Sequence, residues 1–132
     1  MTFFKLYAAA IASFLVLDGL WIGLIMSDFY KKQLGSLMAP SVTWWAAALF
    51  YLIYAAGLVY LIVEPRLGAP LWQVFVAGAI VGLMAYGAYD LTNQATTRDW
   101  PIAVTFVDLA WGTFVSGAVA TVAAGLARYF SW

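Results

Sequence analysis

The 132-residue sequence has no cysteine and no histidine, and only six basic and six acidic residues. Without cysteine there is no disulfide, thiol nucleophile or thiolate metal site. Without histidine there is no imidazole-dependent triad and no histidine-ligated haem. Charged residues make up 9% of the chain, where a globular domain carries about a quarter. That is too little polar surface to cover a core in water. The formal net charge is zero, so no basic excess exists to hold a phosphate backbone, which argues against nucleic acid as a partner. Nothing in the composition points to a cofactor.

What fills the chain instead is apolar. Residues of the AVILMFWYC class reach 66%, with seven Trp, eight Tyr and nine Phe, and the mean hydropathy is +0.93. Aromatic residues in this abundance gather at membrane interfaces. A bilayer core of ~30 Å takes about 20 apolar helical residues, and four stretches qualify, at roughly 4–27, 43–63, 70–92 and 101–127. The expected fold is all-α: a single integral-membrane domain over 1–132, a four-helix bundle with short connections. The lipid bilayer is its first partner.

The connections carry readable chemistry. Ser41 is a candidate N-cap for the second span, Glu64-Pro65-Arg66-Leu67-Gly68-Ala69-Pro70 suits a tight hairpin, and Asp99-Trp100-Pro101 reads as an N-cap followed by a first-turn proline. In the first connection Phe29, Tyr30, Leu34, Leu37 and Met38 fit one face of a short helix lying on the membrane, or the covered edge of a core. The opening apolar run is longer than a signal-peptide core and contains Asp18, and no cleavage site follows, so it is read as a span. Lys5, Arg66 and Arg128 flank one side of the membrane and Lys31, Lys32 and Arg98 the other, a balance that leaves orientation open and allows insertion both ways. Trp44, Trp45, Trp72 and Trp100 fit the role of interface anchors.

Small residues spaced by four mark helix contacts in membranes. The last span has Gly112, Ser116, Ala120 and Ala124; the third has Gly78 and Gly82, followed in the same row by Tyr86 and Asp90; the first has Gly19 and Gly23. Asp108 precedes Gly112 by four and is expected to face inward.

Asp18, Asp90 and Asp108 lie within or at the end of spans, and at ~1.5 Å per residue all fall in one half of the membrane. An ionised side chain at such depth costs ~3 kcal/mol or more. Apart from Lys5 at the far end of the first span, no Lys or Arg lies inside a span; Arg98, at the rim, is the candidate charge partner. Neutral donors are available at matching depth. Tyr51 and Tyr54 come from the second span, and Tyr86, Tyr89 and Asn93 accompany Asp90. Trp21 and Trp111 each follow an aspartate by three, which puts acid and indole on one helix face. Two readings stand side by side: the acids are interhelical glue or caps, or they line a pocket for a ligand, a cation or a proton.

The strings LDGLWIG (17–23), FYLIYAAGL (50–58), YGAYDLTNQAT (86–96), the Trp100-Pro101 pair and VDLAWG (107–112) resemble a bacterial membrane family of unknown function, domain of unknown function 2177, over nearly the whole chain. The resemblance implies a four-span protein of the bacterial cytoplasmic (inner) membrane and brings no activity with it.

Three functions are compatible with these features. The first is binding or transport of a small cation, a proton or an amine-headed amphiphile in an acidic, aromatic pocket. The second is an accessory subunit, paired with itself or with a partner membrane protein in a larger complex or lipid-modifying system. The third is an enzyme acting on a lipid or isoprenoid. Catalysis has the least support, because no nucleophile–base pair and no convincing metal set is present.

Overall fold

A computed structural model describes residues 2–132, and every regular element among them is helical. The order is α1 (Thr2–Ile25), α2 (Ser27–Leu34), α3 (Trp44–Arg66), α4 (Leu71–Thr96) and α5 (Ile102–Tyr129). α1, α3, α4 and α5 are long and apolar enough to cross a membrane, as expected. Only 17–39% of their most hydropathic stretches is buried. Many large apolar side chains along them, including Leu24, Ile53, Met84 and Phe106, are exposed, a surface stable only against lipid. Trp44, Trp45 and Trp72 are exposed near helix ends, as anchors would be.

The core follows rows spaced by four. Val74, Gly78 and Gly82 of α4 meet Gly112, Ser116, Gly117 and Ala120 of α5. A methyl group on Gly78 would come within 2.9 Å of the Ser116 carbonyl and 3.1 Å of the Gly117 Cα, and one on Gly82 would collide with the Gly112 carbonyl. These two backbones therefore touch. In α1 the buried row is Leu6, Ala10, Phe14 and Asp18. This corrects the glycine row expected there. Gly19 and Gly23 have nothing within 4 Å of an added Cβ, because Gly19 lies about 100° around the helix from Asp18.

α3 buries side chains completely only in its second half, while Tyr51, Leu52 and Tyr54 of its first half are tied to Asp18, Tyr7 and Ser116 by hydrogen bonds. Ala55, Leu58, Val59, Ile62 and Val63 are buried, whereas none of the residues 35–54 is. Its approach to α4 and α5 comes through Val59–Val63, a wide π-helical turn. The end of the bundle near the chain termini is knitted by arginines. Arg66 donates to the carbonyls of Leu61 (3.1 Å) and Ile62 (3.2 Å), and Arg128 donates to those of Leu67 (3.1 Å) and Ala69. Such bonds satisfy carbonyls that a helix end leaves free.

Several boundaries differ from expectation. α4 runs to Thr96, and Thr92, Asn93 and Thr96 place their polar side chains on carbonyls one turn earlier, so these residues stay within the helix with their donors satisfied. Asp90 is therefore an interior residue, not a cap. Neither expected N-cap forms: Thr43 precedes α3 and Pro101 precedes α5, each without a side-chain bond. Asp99 instead takes a left-handed turn conformation with φ of 60°, which aspartate tolerates better than most residues.

Gly82→Ala is expected to destabilise the protein by about 1–3 kcal/mol, since the clash is with backbone that cannot step aside. Gly57→Ala, with open space around it, is expected to be neutral or stabilising by up to ~1 kcal/mol. Unfolding of the purified protein in mild detergent, followed by circular dichroism, separates the two. Equal behaviour would contradict the close α4–α5 contact.

Candidate functional site

The rows that pack the bundle end in acids. Asp18 continues the buried row of α1, and Asp90 continues the α4 row through Tyr86. Asp108 stands one turn before Gly112 of α5, against which the Tyr86 ring is pressed. The three carboxylates thus come from three helices into the end of the bundle away from the arginine staples. Burial of Asp18 and Asp90 follows from the helix periodicity.

Their partners are neutral aromatic donors. Tyr51 donates to one oxygen of Asp18 at 2.5 Å and Trp111 Nε1 to the other at 2.7 Å. Tyr30 of α2 donates to Asp108, and Trp21 Nε1 donates to the Tyr30 hydroxyl at 3.1 Å. The two indoles lie face to face, 4.3 Å apart and 2° from parallel. The expected i, i+3 pairing within each helix is thus exchanged between helices. Trp111 serves Asp18 rather than Asp108, and Trp21 reaches Asp108 only through Tyr30. Each bond tying one span to another is worth ~0.6–2 kcal/mol in a membrane.

Asp90 has no such donor. It is fully buried and neither carboxylate oxygen has a hydrogen-bond partner. It lies beside Asp108, within reach of its carboxylate. The polar side chains around it are committed to one another. Thr105 donates to Gln94 at 2.9 Å, Trp100 Nε1 donates to Thr105 at 3.1 Å, and Gln94 donates to the Trp100 carbonyl at 3.0 Å.

Asp18, Asp108 and their aromatic donors border a cavity of about 750 Å³. Asp18, Asp108, Tyr30 and the two stacked indoles form its polar side; Ile22, Leu34, Met38, Ala47, Phe50 and Val104 form its apolar side. Ala46, Ala47, Phe50 and Tyr51 of α3 face Ala85, Tyr86 and Tyr89 of α4 across it. Ile22, Met38, Phe50 and Tyr89 line the cavity and are also exposed, so they mark its mouth. The cavity is the wedge left where the first half of α3 stands off from α4, and it opens sideways between helices.

Of the residues singled out in the sequence, Asp18, Trp21, Tyr51, Tyr86, Tyr89, Asp108 and Trp111 border this cavity. Asp90 lies behind its wall. Tyr54 does not line it and bonds Ser116 at 2.7 Å. Asn93 sits at the helix end, donating to the Tyr89 carbonyl and accepting from Thr97. Arg98 is exposed and forms no hydrogen bond with any of the acids, so it does not act as their counter-charge; it lies in the turn beyond α4, and tyrosine and tryptophan take the place expected for it. Trp100, expected as an anchor, turns inward to Thr105 and lines the cavity. Tyr30 is the residue the sequence reading missed as a site residue. Its signal was the i, i+4, i+8 row Tyr30, Leu34, Met38, all of which reach the cavity. Among the described residues no group of acids is arranged to hold a metal ion.

α2 has no buried residue, and Tyr30 ties it to the helices beneath. Burial, followed by the bond to Asp108, pushes the Tyr30 hydroxyl above the usual tyrosine range. A raised folded-state value means that the tie is fully present below the ordinary tyrosine pKa of about 10 and is lost only as pH rises past the higher one. Tyr30→Phe removes a hydrogen bond to a carboxylate worth about 1.5–3 kcal/mol, enough for a roughly tenfold larger open population. Trypsin cleavage at the exposed Lys31 and Lys32 is expected to speed up by about that factor when opening is fast relative to cleavage. The wild-type rate is expected to show no added opening between pH 7 and 9; an unchanged rate in the variant would remove the tie.

Comparison with curated proteins and with solved structures found no match. A family model does match, over residues 3–125, and includes all three aspartates, Tyr30, Tyr51 and both stacked indoles. Its description, predicted membrane protein, agrees with the four apolar helices, and the chain belongs to that family, domain of unknown function 2177.

Proposed function

We propose that the protein binds, and by alternating exposure can transport, a small amphiphile whose head carries an amine cation, taken up sideways from one leaflet. The observation that carries this reading is the cavity of about 750 Å³ with acids on one side and no basic side chain among its lining residues. A carboxylate within a bilayer is stabilised by an opposite charge far more than by neutral donors. Asp18 and Asp108 accept from neutral donors only, and a carboxylate retains capacity for further donors. The stacked indoles and Tyr86 add cation–π attraction of ~1–2 kcal/mol in a desolvated site. The apolar side and the lateral mouth suit an alkyl tail that never leaves the membrane. Spans built of apolar helices rather than a closed barrel fit the cytoplasmic membrane of a bacterium.

A second reading draws on the same unburied first half of α3. A partner membrane protein, or a second copy, would fill the wedge and make this chain an accessory subunit. Purification in gentle detergent separates the readings, since a stoichiometric foreign partner would favour the second.

Dodecyltrimethylammonium, titrated against the protein in nanodiscs with tryptophan fluorescence as readout, is expected to bind saturably. Dodecyl sulfate and dodecyl maltoside are expected not to compete. Asp18→Asn is expected to weaken binding about tenfold or more, equivalent to ~1.4 kcal/mol. Binding that ignores head-group charge, or is untouched by that substitution, would defeat the proposal.

A further inference from the structure

We infer that Asp90 and Asp108 form a carboxyl–carboxylate pair that holds one proton and gives it up when a cation occupies the cavity. This rests on the cation-binding reading above and adds to it a second, competing ligand.

The α4–α5 register places the two groups together. Gly82 lies against Gly112 and Ser116, the Tyr86 ring covers Gly112, and the next turn of each helix brings Asp90 opposite Thr105 and Asp108. Asp90 is six residues from the end of α4 and Asp108 six from the start of α5, so both lie about 9 Å inside their helices. Only Asp108 opens to the cavity; Asp90 stands behind it, fully buried.

The surrounding donors decide the protonation state. The Thr105 hydroxyl is given to Gln94, the Gln94 amide to the Trp100 carbonyl, the Trp100 indole to Thr105 and the Tyr30 hydroxyl to Asp108. From α4 itself Tyr89 is nearby, from α2 Tyr30, and from α1 Asp18, which adds further negative charge through Asp108. Among the described residues no basic side chain forms a hydrogen bond with the pair, and Arg98 is exposed. An ionised Asp90 would be a buried anion with no donor and another anion beside it, an arrangement folded proteins avoid. Neutral Asp90 becomes a donor and satisfies both itself and Asp108.

Arrival of an amine cation at Asp108 changes this balance. The cation supplies the positive charge that the shared proton had supplied. The Asp90–H bond breaks, its electron pair stays on the carboxylate, and the proton leaves to water at the α2 end. Charge is conserved, with one cation in and one proton out. The tight backbone contact at Gly82 and Gly112 fixes the spacing of the pair, so the exchange needs no change in helix packing.

A quaternary amine carries no proton of its own, so any proton released on its binding comes from the protein. With the full chain in nanodiscs and a pH-indicator dye in weak buffer, dodecyltrimethylammonium is expected to release about one proton per molecule bound near neutral pH. Its affinity is then expected to rise about tenfold per pH unit while the pair is protonated. Asp90→Asn is expected to bring release per bound amine close to zero. Infrared spectra supply a readout that needs no amine. A protonated-carboxyl band is expected at neutral pH, lost in Asp90→Asn and in Asp108→Asn, and retained in Asp18→Asn. Absence of that band in the wild type, or amine binding without proton release, overturns the shared-proton pair. The band without any amine binding overturns the cation-binding function and leaves the pair standing.

Discussion

The contact of α4 with α5 is the constraint on which the rest depends. Lipid offers helices no hydrophobic reason to associate, so the two helices hold together through close packing along Gly78, Gly82, Gly112 and Gly117. Once backbones touch there, the register is fixed. A residue one or two turns further along each row must then meet its counterpart. On α4 those residues are Tyr86 and Asp90, and on α5 they include Asp108. Asp90 and Asp108 are inward-facing because they extend rows of small residues, and they are close because those rows are close; Asp18 instead extends the larger row Leu6, Ala10 and Phe14 of α1.

Placing carboxylates there would be costly if nothing answered them. The structure answers with aromatic donors instead of bases. Tyr51 and Trp111 reach Asp18, and Tyr30 reaches Asp108 with Trp21 behind it. A lysine or arginine in the same place would cancel the charge and close the site to a cationic ligand. Neutral donors lower the cost of burial while leaving the net charge in place. The same bonds tie α1 to α3 and α5, and α2 to α5, so the site is also part of what holds the bundle shut. The indole stack shares this double role, since each ring packs on the other while its N–H serves a different acid-bearing branch.

The helices and the small-residue rows of α4 and α5 were legible in the sequence because each is a local periodic signal. What stayed hidden concerns partners far apart along the chain. Tyr30 bonds Asp108 across 78 positions, and the apolar face of α2 shows that it covers something without saying which helix or acid lies beneath. The Asp18-x-x-Trp21 and Asp108-x-x-Trp111 spacings correctly place acid and indole on one face. They cannot say that the indole serves the acid of the neighbouring helix. Gly19 and Gly23 mimicked a contact row because glycine is common in spans, while the real row of α1 is built from Leu6, Ala10 and Phe14. Asp90 looked terminal because polar residues follow it, yet Thr92, Asn93 and Thr96 satisfy their side chains on α4's own carbonyls and the helix continues through them.

The two ends of the bundle are built to opposite specifications, and that difference bears on access. At one end Arg128 staples the α3–α4 turn to the end of α5, Arg66 binds the last carbonyls of its own helix, and the second half of α3 is buried among its neighbours. At the other, residues 35–54 have no buried member, and the side-chain hydrogen bonds of α2 to the spans run through the Tyr30 hydroxyl. The first half of α3 is held there by polar ties rather than by a packed core, Tyr51 to Asp18 and the Leu52 carbonyl to Tyr7. Motion of α3 about its Val59–Val63 turn would widen or narrow the mouth between Phe50 and Tyr89 by breaking those ties, without touching the α4–α5 seam. The acids would keep their spacing while the way in to them changed. Separation of a rigid charged floor from a movable apolar wall is what a site needs if its occupant is to arrive from, and return to, the membrane.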